Sequence, residues 1–184
     1  MATDDRTELG QSSSTEALLA TVKAEREIYE TFFRYYYLCD VEKQYARAVN
    51  ECFSPDIENV HDIFEGPATI VRGREESIAY LLNVAGPTLE RRAHVVGQHR
   101  IEWTNGRPRL LAYVTGWHWF AANAHMGDAR AADWSIIALV EDDFARIDGK
   151  WLISRRLVRS FTGLAATGSL PAAADKRLTG SDHR

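Results

Sequence analysis

Hydrophobic and polar residues alternate with two different periods, and the period changes near the middle of the chain. In the first half, apolar residues recur every three to four positions, which is typical of amphipathic helices. One such stripe runs from Leu18 to Asp40, and Ser13 and Glu16 before it have the spacing of a capping box. The pattern also predicts helices over 41–53 and between Gly73 and Gly86, and short strands from Ile57 to Phe64 and around Ile70.

The second half is typical of long β-strands. Four segments, AHVVGQHRIEW, RLLAYVTGWHWFA, WSIIALVEDDFARI and KWLISRRLVRSF, are separated by hairpin signals at Asn105-Gly106 and Asp148-Gly149. The middle connection, ANAHMGDARAAD, is longer and polar, and we expect a mobile hairpin tip or lid there. Helices followed by strands predict an α+β domain, with three helices packed in a strongly curved antiparallel or mixed sheet that forms a cone-shaped α+β barrel.

The composition of both ends differs from that of the middle. Residues 1–13 are polar and Ser-rich, and 163–184 contain few large apolar groups, so neither segment can bury enough surface to offset its ordering entropy. We therefore predict a disordered tail over 1–13, one domain over 14–162 and a flexible tail over 163–184.

The register of the last hairpin follows from its turn. A two-residue turn at Asp148-Gly149 brings acids of the EDD segment opposite the two arginines, and such pairs stabilise a sheet by about 0.2–1 kcal/mol each. This interpretation makes those charges part of the scaffold. The predicted pairs are Asp142 with Arg155, Glu141 with Arg156, Phe144 with Ile153, and Arg146 with Trp151.

Charge and cysteine content narrow the class of protein. The 184 residues carry a formal net charge of −4, and no basic stripe is visible, which argues against a nucleic-acid partner. No apolar run approaches the length of a membrane span, and the acidic N-terminus does not resemble a signal peptide. Cys39 and Cys52 are then expected to be reduced thiols, and we predict a cytoplasmic location.

The candidate chemistry consists of one acid and a few histidines. No phosphate loop, dinucleotide fingerprint, zinc-binding set or nucleophile elbow is present, so no cofactor and no metal are predicted. Asp40 follows an aromatic run and is either the cap of the next helix or a buried acid with a partner. His118 lies on a face of small apolar residues, where an imidazole needs a hydrogen-bond partner or a cavity. His61 belongs either to a pocket wall or to an exposed edge.

The order of five motifs resembles a known family. YYYLCD, NECFSPDI, RGREESI, RAHVVGQHRIEW and VEDDFARIDGKWLISRRLV follow one another as in the SnoaL-like branch of the nuclear-transport-factor-2-like superfamily, over roughly residues 16–160. The pattern looks most like the scytalone dehydratase and hexachlorocyclohexane dehydrochlorinase group. Those enzymes use an Asp at the end of the first helix and a His at the start of a sheet strand, which match Asp40 and His94. His118 is similar to a second His of the dehydratases.

The resemblance implies roles for further residues. Where the group has a tyrosine on the first strand, this chain offers His61 or Asn59, and Val140 replaces a common aromatic residue. Tyr35 or Tyr36 could match a tyrosine beside the acid. The implied set comprises His94 as base, Asp40 as the acid that orients it, His118 and Tyr36 as secondary polar groups, and Tyr35, His61, Val96 and Phe33 as substrate-binding residues.

The implied activity is a cofactor-free lyase or isomerase of the dehydratase type, acting on a small hydrophobic, ring-containing substrate by proton abstraction. A polyketide-cyclase-like enzyme is an alternative in the same pocket. A non-catalytic small subunit related to the β subunit of ring-hydroxylating dioxygenases, or a ligand-binding module, is an alternative of another class. Trp103, Trp117 and Trp119 suggest a homo-oligomer, dimer or trimer, formed through the outer face of the sheet.

One requirement of this interpretation is that His94 and His118 share a sheet face. With a two-residue turn at Asn105-Gly106, His94 lies opposite Trp117, and His118 points to the other side. With a three-residue loop that includes Arg107, His94 lies directly opposite His118. Because a proline after the turn favours the longer loop, and because a β-bulge would also restore the common face, we expect the common face.

Overall fold

The computed structural model describes residues 6–63, 67–84 and 88–166. Of the predicted tails over 1–13 and 163–184, residues 1–5 and 167–184 lie outside the described residues, as do the predicted ends of the first strand at Phe64 and of the third helix at Gly86. The helices are α1 (Arg6–Asp40), α2 (Tyr45–Cys52) and α3 (Gly73–Val84), and the strands are β1 (Phe53–Asp62), β2 (Thr69–Arg72), β3 (Leu89–Thr104), β4 (Arg107–Phe120), β5 (Trp134–Ile147) and β6 (Lys150–Ala166).

Several boundaries differ from the sequence-based ones. α2 covers Tyr45–Cys52 rather than 41–53, β1 begins at Phe53 rather than Ile57, and α1 begins at Arg6, inside the segment predicted as a disordered tail. Ser13 lies inside α1, so its capping-box spacing does not mark the start of the helix. A capping box is a local signal, and a helix continues through it when the preceding residues can adopt helical geometry. At the other end, β6 continues to Ala166, four residues beyond the predicted domain boundary at 162.

The described strands form one mixed sheet in the order β2-β1-β6-β5-β4-β3. β1 and β6 are parallel, and the other neighbours are antiparallel. The predicted α+β class with a curved sheet and three helices is confirmed. The predicted barrel is wrong in one respect: β2 and β3 are both edge strands, so the sheet stays an open cone.

The buried face of α1 differs by one position from the predicted stripe. Phe32, Tyr35 and Cys39 are buried against α2 and the sheet, whereas Leu18 and Phe33 of the predicted stripe are 63% and 41% exposed. In the run FFRYYY, aromatic residues occupy every side of the helix, so their spacing alone cannot tell which side is buried. Burying an aromatic side chain such as Phe32 stabilises the fold by about 2–3 kcal/mol.

The β5–β6 hairpin has the predicted turn but a different register beyond it. Asp148 and Gly149 have positive φ values of 49° and 78°, as a two-residue type I′ turn requires. The pairs of Phe144 with Ile153 and of Arg146 with Trp151 are confirmed. An irregularity between Asp143 and Phe144 then shifts the pairing by one residue. The two predicted charge pairs are therefore wrong: Asp142 lies opposite Arg156, and Asp143 opposite Arg155.

The register of the β3–β4 hairpin determines whether His94 and His118 lie on the same face of the sheet. Thr104 pairs with Arg107, so the turn has two residues, and the predicted three-residue loop is wrong. The register shifts between Val96 and His99, and beyond that bulge His94 pairs with Gly116. The bulge adds one residue to β3, so the side chains of β3 on the side of the bulge away from the turn, including His94, point to the opposite face from the one that the turn alone would give. His94 and His118 consequently share the concave face, as expected, although they are not directly opposite.

The connection between β4 and β5 is tied to the sheet by a buried acid. Asp133 Oδ2 accepts a hydrogen bond from the backbone N–H of Phe120 at 2.6 Å, and its Oδ1 accepts one from Asn123 Nδ2 at 2.8 Å. Arg130 donates to the carbonyl of Phe120. These bonds hold the segment before β5 in place, and the predicted mobility of its tip remains a prediction.

The outer face of the sheet is partly apolar. Trp103 is not on this face, so its predicted place there is wrong: it pairs with Pro108, which shares the buried face of β4 with Leu110, and its indole donates to Glu25 Oε1 of α1 at 3.1 Å. Trp119 lies on the outer face and donates to the carbonyl of Arg130. Exposed apolar side chains on this side of the sheet are Val95, Tyr113, Ile137 and Phe161. The homo-oligomer through this face remains a prediction. No helix in the described part of the chain combines the length and apolarity needed to cross a membrane.

Candidate functional site

Asp40, the last residue of α1, is bound to His94 of β3. Its Oδ2 accepts a hydrogen bond from the backbone N–H of His94 at 2.9 Å, and His94 Nδ1 lies 3.0 Å from Oδ1 and 2.9 Å from Oδ2. Because a carboxylate can only accept, we assign the ring hydrogen to Nδ1. This tautomer leaves the lone pair on Nε2, the atom that could take a proton from a ligand.

Asp40 does not cap α2. That helix begins at Tyr45, and its cap residue, Gln44, makes no side-chain capping bond. The oxygens of Asp40 are directed to β3 instead, and Lys43 donates to the carbonyl of Glu90 at 2.9 Å. Of the two interpretations that the sequence left open, the geometry supports the partnered acid.

Arg92 is a second partner of Asp40. Its Nε lies 2.9 Å from Asp40 Oδ1, both side chains are 10% exposed, and its guanidinium lies over the ring of Tyr45 at 4.9 Å. The contact is an ion pair without the alignment of a good hydrogen bond. A buried carboxylate is tolerated when a cation compensates it. The sequence pattern did not single out Arg92, although its position two residues before His94 places both on one face of β3.

Gly116 provides room for the two imidazoles. A Cβ atom at this position would lie 3.1 Å from His94 Cδ2, 3.2 Å from His94 Nε2 and 3.1 Å from His118 Cε1. The ring centroids of His94 and His118 are 5.6 Å apart, with an interplanar angle of 83°. A residue with a side chain would therefore push one of the rings out of this arrangement.

His118 is buried and stacked. Its ring lies 3.9 Å from that of Trp134, at an interplanar angle of 5°. Burial lowers the pKa of His118 well below its ordinary value, and His94 and Arg92 act in the same direction. Its Nδ1 is buried and has no hydrogen-bond partner among the described residues. A neutral imidazole of this kind can donate one hydrogen bond and accept another.

Of the two tyrosines, Tyr36 lies beside the pair. Its ring centroid is 5.1 Å from that of His94, and burial raises its pKa, with Asp142 and Asp40 acting in the same direction against Arg156. The phenol therefore remains protonated at neutral pH and can donate a hydrogen bond. Tyr35 is placed differently, because its ring is packed between Phe53, at 5.0 Å, and the guanidinium of Arg156, at 4.1 Å.

The other predicted binding residues are divided between two sides of the protein. The His61 ring stacks on Tyr80 at 4.7 Å, and burial, together with Arg156, lowers its pKa to about 4. Val96 is half-buried and pairs with Val114 on the concave face. Phe33 lies outside the site: its ring contacts Tyr29 and His99 and lines an open groove of about 1640 Å³ on the other side of α1. None of Asp40, His94 and His118 lines that groove.

A buried ion pair lies deeper in the cone. Arg156 Nε donates to Asp142 Oδ1 at 2.8 Å, and the two side chains are 2% and 0% exposed. The guanidinium also lies over the rings of Tyr35 and Tyr36, at 4.1 and 5.5 Å. Both charges belong to the scaffold, as the sequence predicted, but with partners other than the predicted ones.

The structure thus brings together Asp40, His94, His118 and Tyr36, with Arg92 and Gly116 as neighbours that the sequence did not single out. Among the residues that the structure describes, no group of three His, Cys, Asp or Glu side chains is arranged to hold a metal ion. Cys39 and Cys52 are buried free thiols.

A model of the SnoaL-like domain family matches residues 20–157. No curated protein matches the sequence. Similar solved structures include a scytalone dehydratase-like protein from Novosphingobium aromaticivorans, with a TM-score of 0.64 and 18% identity over 86% of this chain and 95% of that one.

Two other structures have a similar fold. A hexachlorocyclohexane dehydrochlorinase, LinA of type 2, has a TM-score of 0.62 and 18% identity, covering 83% of this chain and 92% of that one. ActVI-ORFA from Streptomyces coelicolor has a TM-score of 0.59 and 20% identity, covering 74% of this chain and 96% of that one. At these identities, the likeness establishes the fold and no more.

Proposed function

This chain belongs to the SnoaL-like domain family, and from that premise we propose that it is a cofactor-free lyase or isomerase of the dehydratase type. The substrate would be a small, hydrophobic, ring-containing compound with an acidic C–H bond next to a carbonyl group. The single observation that carries the proposal is the double contact of His94 with Asp40, through its backbone N–H and its Nδ1.

The first step would be a proton transfer from carbon to nitrogen. His94 Nε2 takes the proton, the electrons of the C–H bond move towards the carbonyl, and an enolate and an imidazolium form. Asp40 lies 2.9 Å from Nδ1 and stabilises the imidazolium. A base held in this way contributes about 10²–10⁴-fold to the rate of such a step.

The second step would decide between lyase and isomerase. In a dehydration, the enolate electrons expel a hydroxyl group from the β carbon, the proton on His94 goes to that oxygen, and an unsaturated carbonyl compound and water result. In an isomerisation, the same proton returns to a different carbon. Tyr36 and His118 lie within ring contact of His94 and would donate hydrogen bonds to the carbonyl or the departing oxygen.

Two considerations support an enzyme over a non-catalytic module. A scaffold subunit needs Asp40 only as a helix cap, whereas here α2 begins without it. The proteins of similar fold also include a dehydratase-like protein and a dehydrochlorinase, whose reactions remove a leaving group together with a proton. Cyclisation of a polyketide would begin with the same proton abstraction.

Proton exchange in D₂O tests the first step without knowledge of the natural substrate. A panel of ring ketones that includes 4-phenylcyclohexanone is incubated with the protein, and loss of the α-proton signals is followed by NMR. We expect exchange with the wild type and a decrease of about 10²-fold or more for His94→Ala and Asp40→Asn. His99→Ala, an exposed histidine on the same strand, is the matched control and should exchange at the wild-type rate.

Circular dichroism and thermal unfolding establish that the variants are folded. Equal exchange by the wild type, His94→Ala and Asp40→Asn would refute the proposed function, as would wild-type exchange no faster than in buffer for every ketone of the panel.

A further inference from the structure

A second group of buried polar atoms lies deeper in the cone than His94. Asn59 of β1 is fully buried, and neither its Oδ1 nor its Nδ2 has a hydrogen-bond partner among the described residues. His61, two residues along the same strand, also has a buried Nε2 for which the described residues provide no partner. Leaving a buried polar group unsatisfied costs about 1–3 kcal/mol. Asn59 and His61 together contribute three such atoms within three residues of β1, which indicates that something else binds there.

Strand register places these atoms on the concave face. Asn59 pairs with Arg156, which pairs with Asp142, and both of these side chains are buried in the cone. His61 pairs with Val158, which packs against the core. Residues paired across neighbouring strands point to the same side of a sheet. Asn59 and His61 therefore face the same interior as His94.

A strip of small side chains separates the two polar groups. Across the paired strands, His61 is level with Ala112 of β4, and His94 is level with Gly116. From the one level to the other, the concave face carries Ala112, Val114 and Gly116 on β4 and Ala138 on β5. Ala112 and Gly116 are four steps apart along the strand, which corresponds to about 13 Å. These side chains are short and apolar, and polar atoms without partners among the described residues lie at both ends, His118 Nδ1 at one and Asn59 and His61 Nε2 at the other. The strip would therefore take the apolar ring part of a ligand.

The charge balance indicates which chemical group would bind. Arg156, the cation next to Asn59, is neutralised by Asp142, with an Nε–Oδ1 distance of 2.8 Å. A carboxylate of the ligand would therefore lose its hydration without gaining a free cation from this pair. Asn59 offers one acceptor and two donor hydrogens, and neutral His61 adds a further position. A hydroxyl group, which both donates and accepts, satisfies these partners.

We propose that Asn59 and His61 form a distal subsite that binds a hydroxyl group on the ring of the ligand, at the far end from His94. This inference rests on the proposed function for the orientation of the ligand, with its carbonyl group at His94. It narrows the substrate class to ring ketones that carry a hydroxyl group roughly across the ring system from the carbonyl.

Two ketones that differ only in this hydroxyl group test the subsite. The affinities of 4-phenylcyclohexanone and 4-(4-hydroxyphenyl)cyclohexanone are measured by isothermal titration calorimetry with the wild type, Asn59→Leu and His61→Phe. We expect the wild type to prefer the hydroxylated ketone by about tenfold or more. Asn59→Leu should abolish this preference and leave the affinity for 4-phenylcyclohexanone unchanged.

His61→Phe is the second variant, because phenylalanine can keep the stacking on Tyr80 at 4.7 Å while removing the ring nitrogen. It should reduce the preference as well. A wild type without measurable preference, or a preference that survives both substitutions, would overturn the proposal. So would an equal loss of affinity for both ketones in Asn59→Leu, which is the result for an asparagine that only holds a buried water.

Binding and proton exchange separate this proposal from the proposed function. If neither ketone exchanges its α-protons while the preference depends on Asn59, the lyase proposal fails and the subsite stands. If exchange depends on His94 but the hydroxyl group has no influence on affinity, the subsite proposal fails and the lyase proposal stands.

Discussion

The carboxylate of Asp40 is shared between Arg92 and His94, at 2.9 Å from Arg92 Nε and 2.9 Å from His94 Nδ1. An isolated carboxylate in this position would be costly to bury, and its two partners remove most of that cost. The aromatic run before Asp40 is thus compatible with a charged residue at its end. The family resemblance pointed to His94, whereas Arg92 was not recognised, because a charged residue in a strand is most often exposed.

Gly116 allows a test of the geometry around His94 Nε2. We predict that Gly116→Ala lowers the rate of α-proton exchange by about tenfold or more, since a displacement of the base by a fraction of an ångström weakens proton transfer. The new Cβ atom would lie 3.1 Å from His94 Cδ2 and 3.1 Å from His118 Cε1. NMR of a ring ketone in D₂O measures the rate.

Gly97→Ala is the matched control for this substitution. Its added Cβ atom would meet the carbonyl oxygen of Tyr113 at 3.6 Å, which is an ordinary contact, so the exchange rate should stay close to that of the wild type. If Gly116→Ala exchanges as fast as Gly97→Ala, the position of His94 does not depend on the space at Gly116.

At the scale of elements, one irregularity in each of two strands decides which side chains meet. The extra residue between Val96 and His99 in β3 brings His94 onto the face of His118, and the extra residue Ser154 in β6 joins Asp142 to Arg156. A displacement of one residue exchanges the two faces of a strand. The turns Asn105-Gly106 and Asp148-Gly149 could be predicted from their residue types, but nothing local in the sequence marks the bulges.

The buried pair of Asp142 and Arg156 should stabilise the fold only as a pair. We predict that Asp142→Leu alone lowers the free energy of unfolding by about 3–5 kcal/mol, because it leaves Arg156 buried without its anion. Arg156→Met alone should have an effect of the same size. Urea unfolding of both variants measures the change.

The double variant, Asp142→Leu with Arg156→Met, is the informative comparison. Without either charge, the apolar replacements can pack against Phe32 and Tyr35, and we expect the loss to be smaller than for either single variant. Strictly additive losses would mean that the two side chains do not depend on each other.

For the molecule as a whole, buried neutral histidines make stability sensitive to acid. The pKa of His61 is about 4 in the folded protein, against 6.5 for an unperturbed histidine. As the pH falls below about 6.5, the unfolded chain binds a proton at this position and the folded chain does not, so unfolding becomes more favourable until the pH reaches about 4. Burial also lowers the pKa of His118, which acts in the same sense.

His61→Phe should make the protein less sensitive to acid. Between pH 7 and pH 4.5, we expect the wild type to lose about 2 kcal/mol more of its free energy of unfolding than His61→Phe. Urea unfolding at both pH values gives this difference, and His99→Phe, a change at an exposed histidine, should behave as the wild type. Identical losses in the wild type and His61→Phe would show that His61 can bind a proton in the folded state.

The sequence by itself determined the helices, the long strands, the two tight turns, the family resemblance and the candidate pair of Asp40 and His94. These features depend on periodicity, on turn residues and on the order of motifs, which are local or nearly local properties. Only the tertiary structure decided which side of α1 is buried, that Arg92 is the second partner of Asp40, that Gly116 lies opposite His94, and that Phe33 faces away from the site. The reason is physical: strand register and ion pairing follow from how side chains distant in sequence pack together, and a bulge of one residue, which costs little locally, exchanges the faces of a strand.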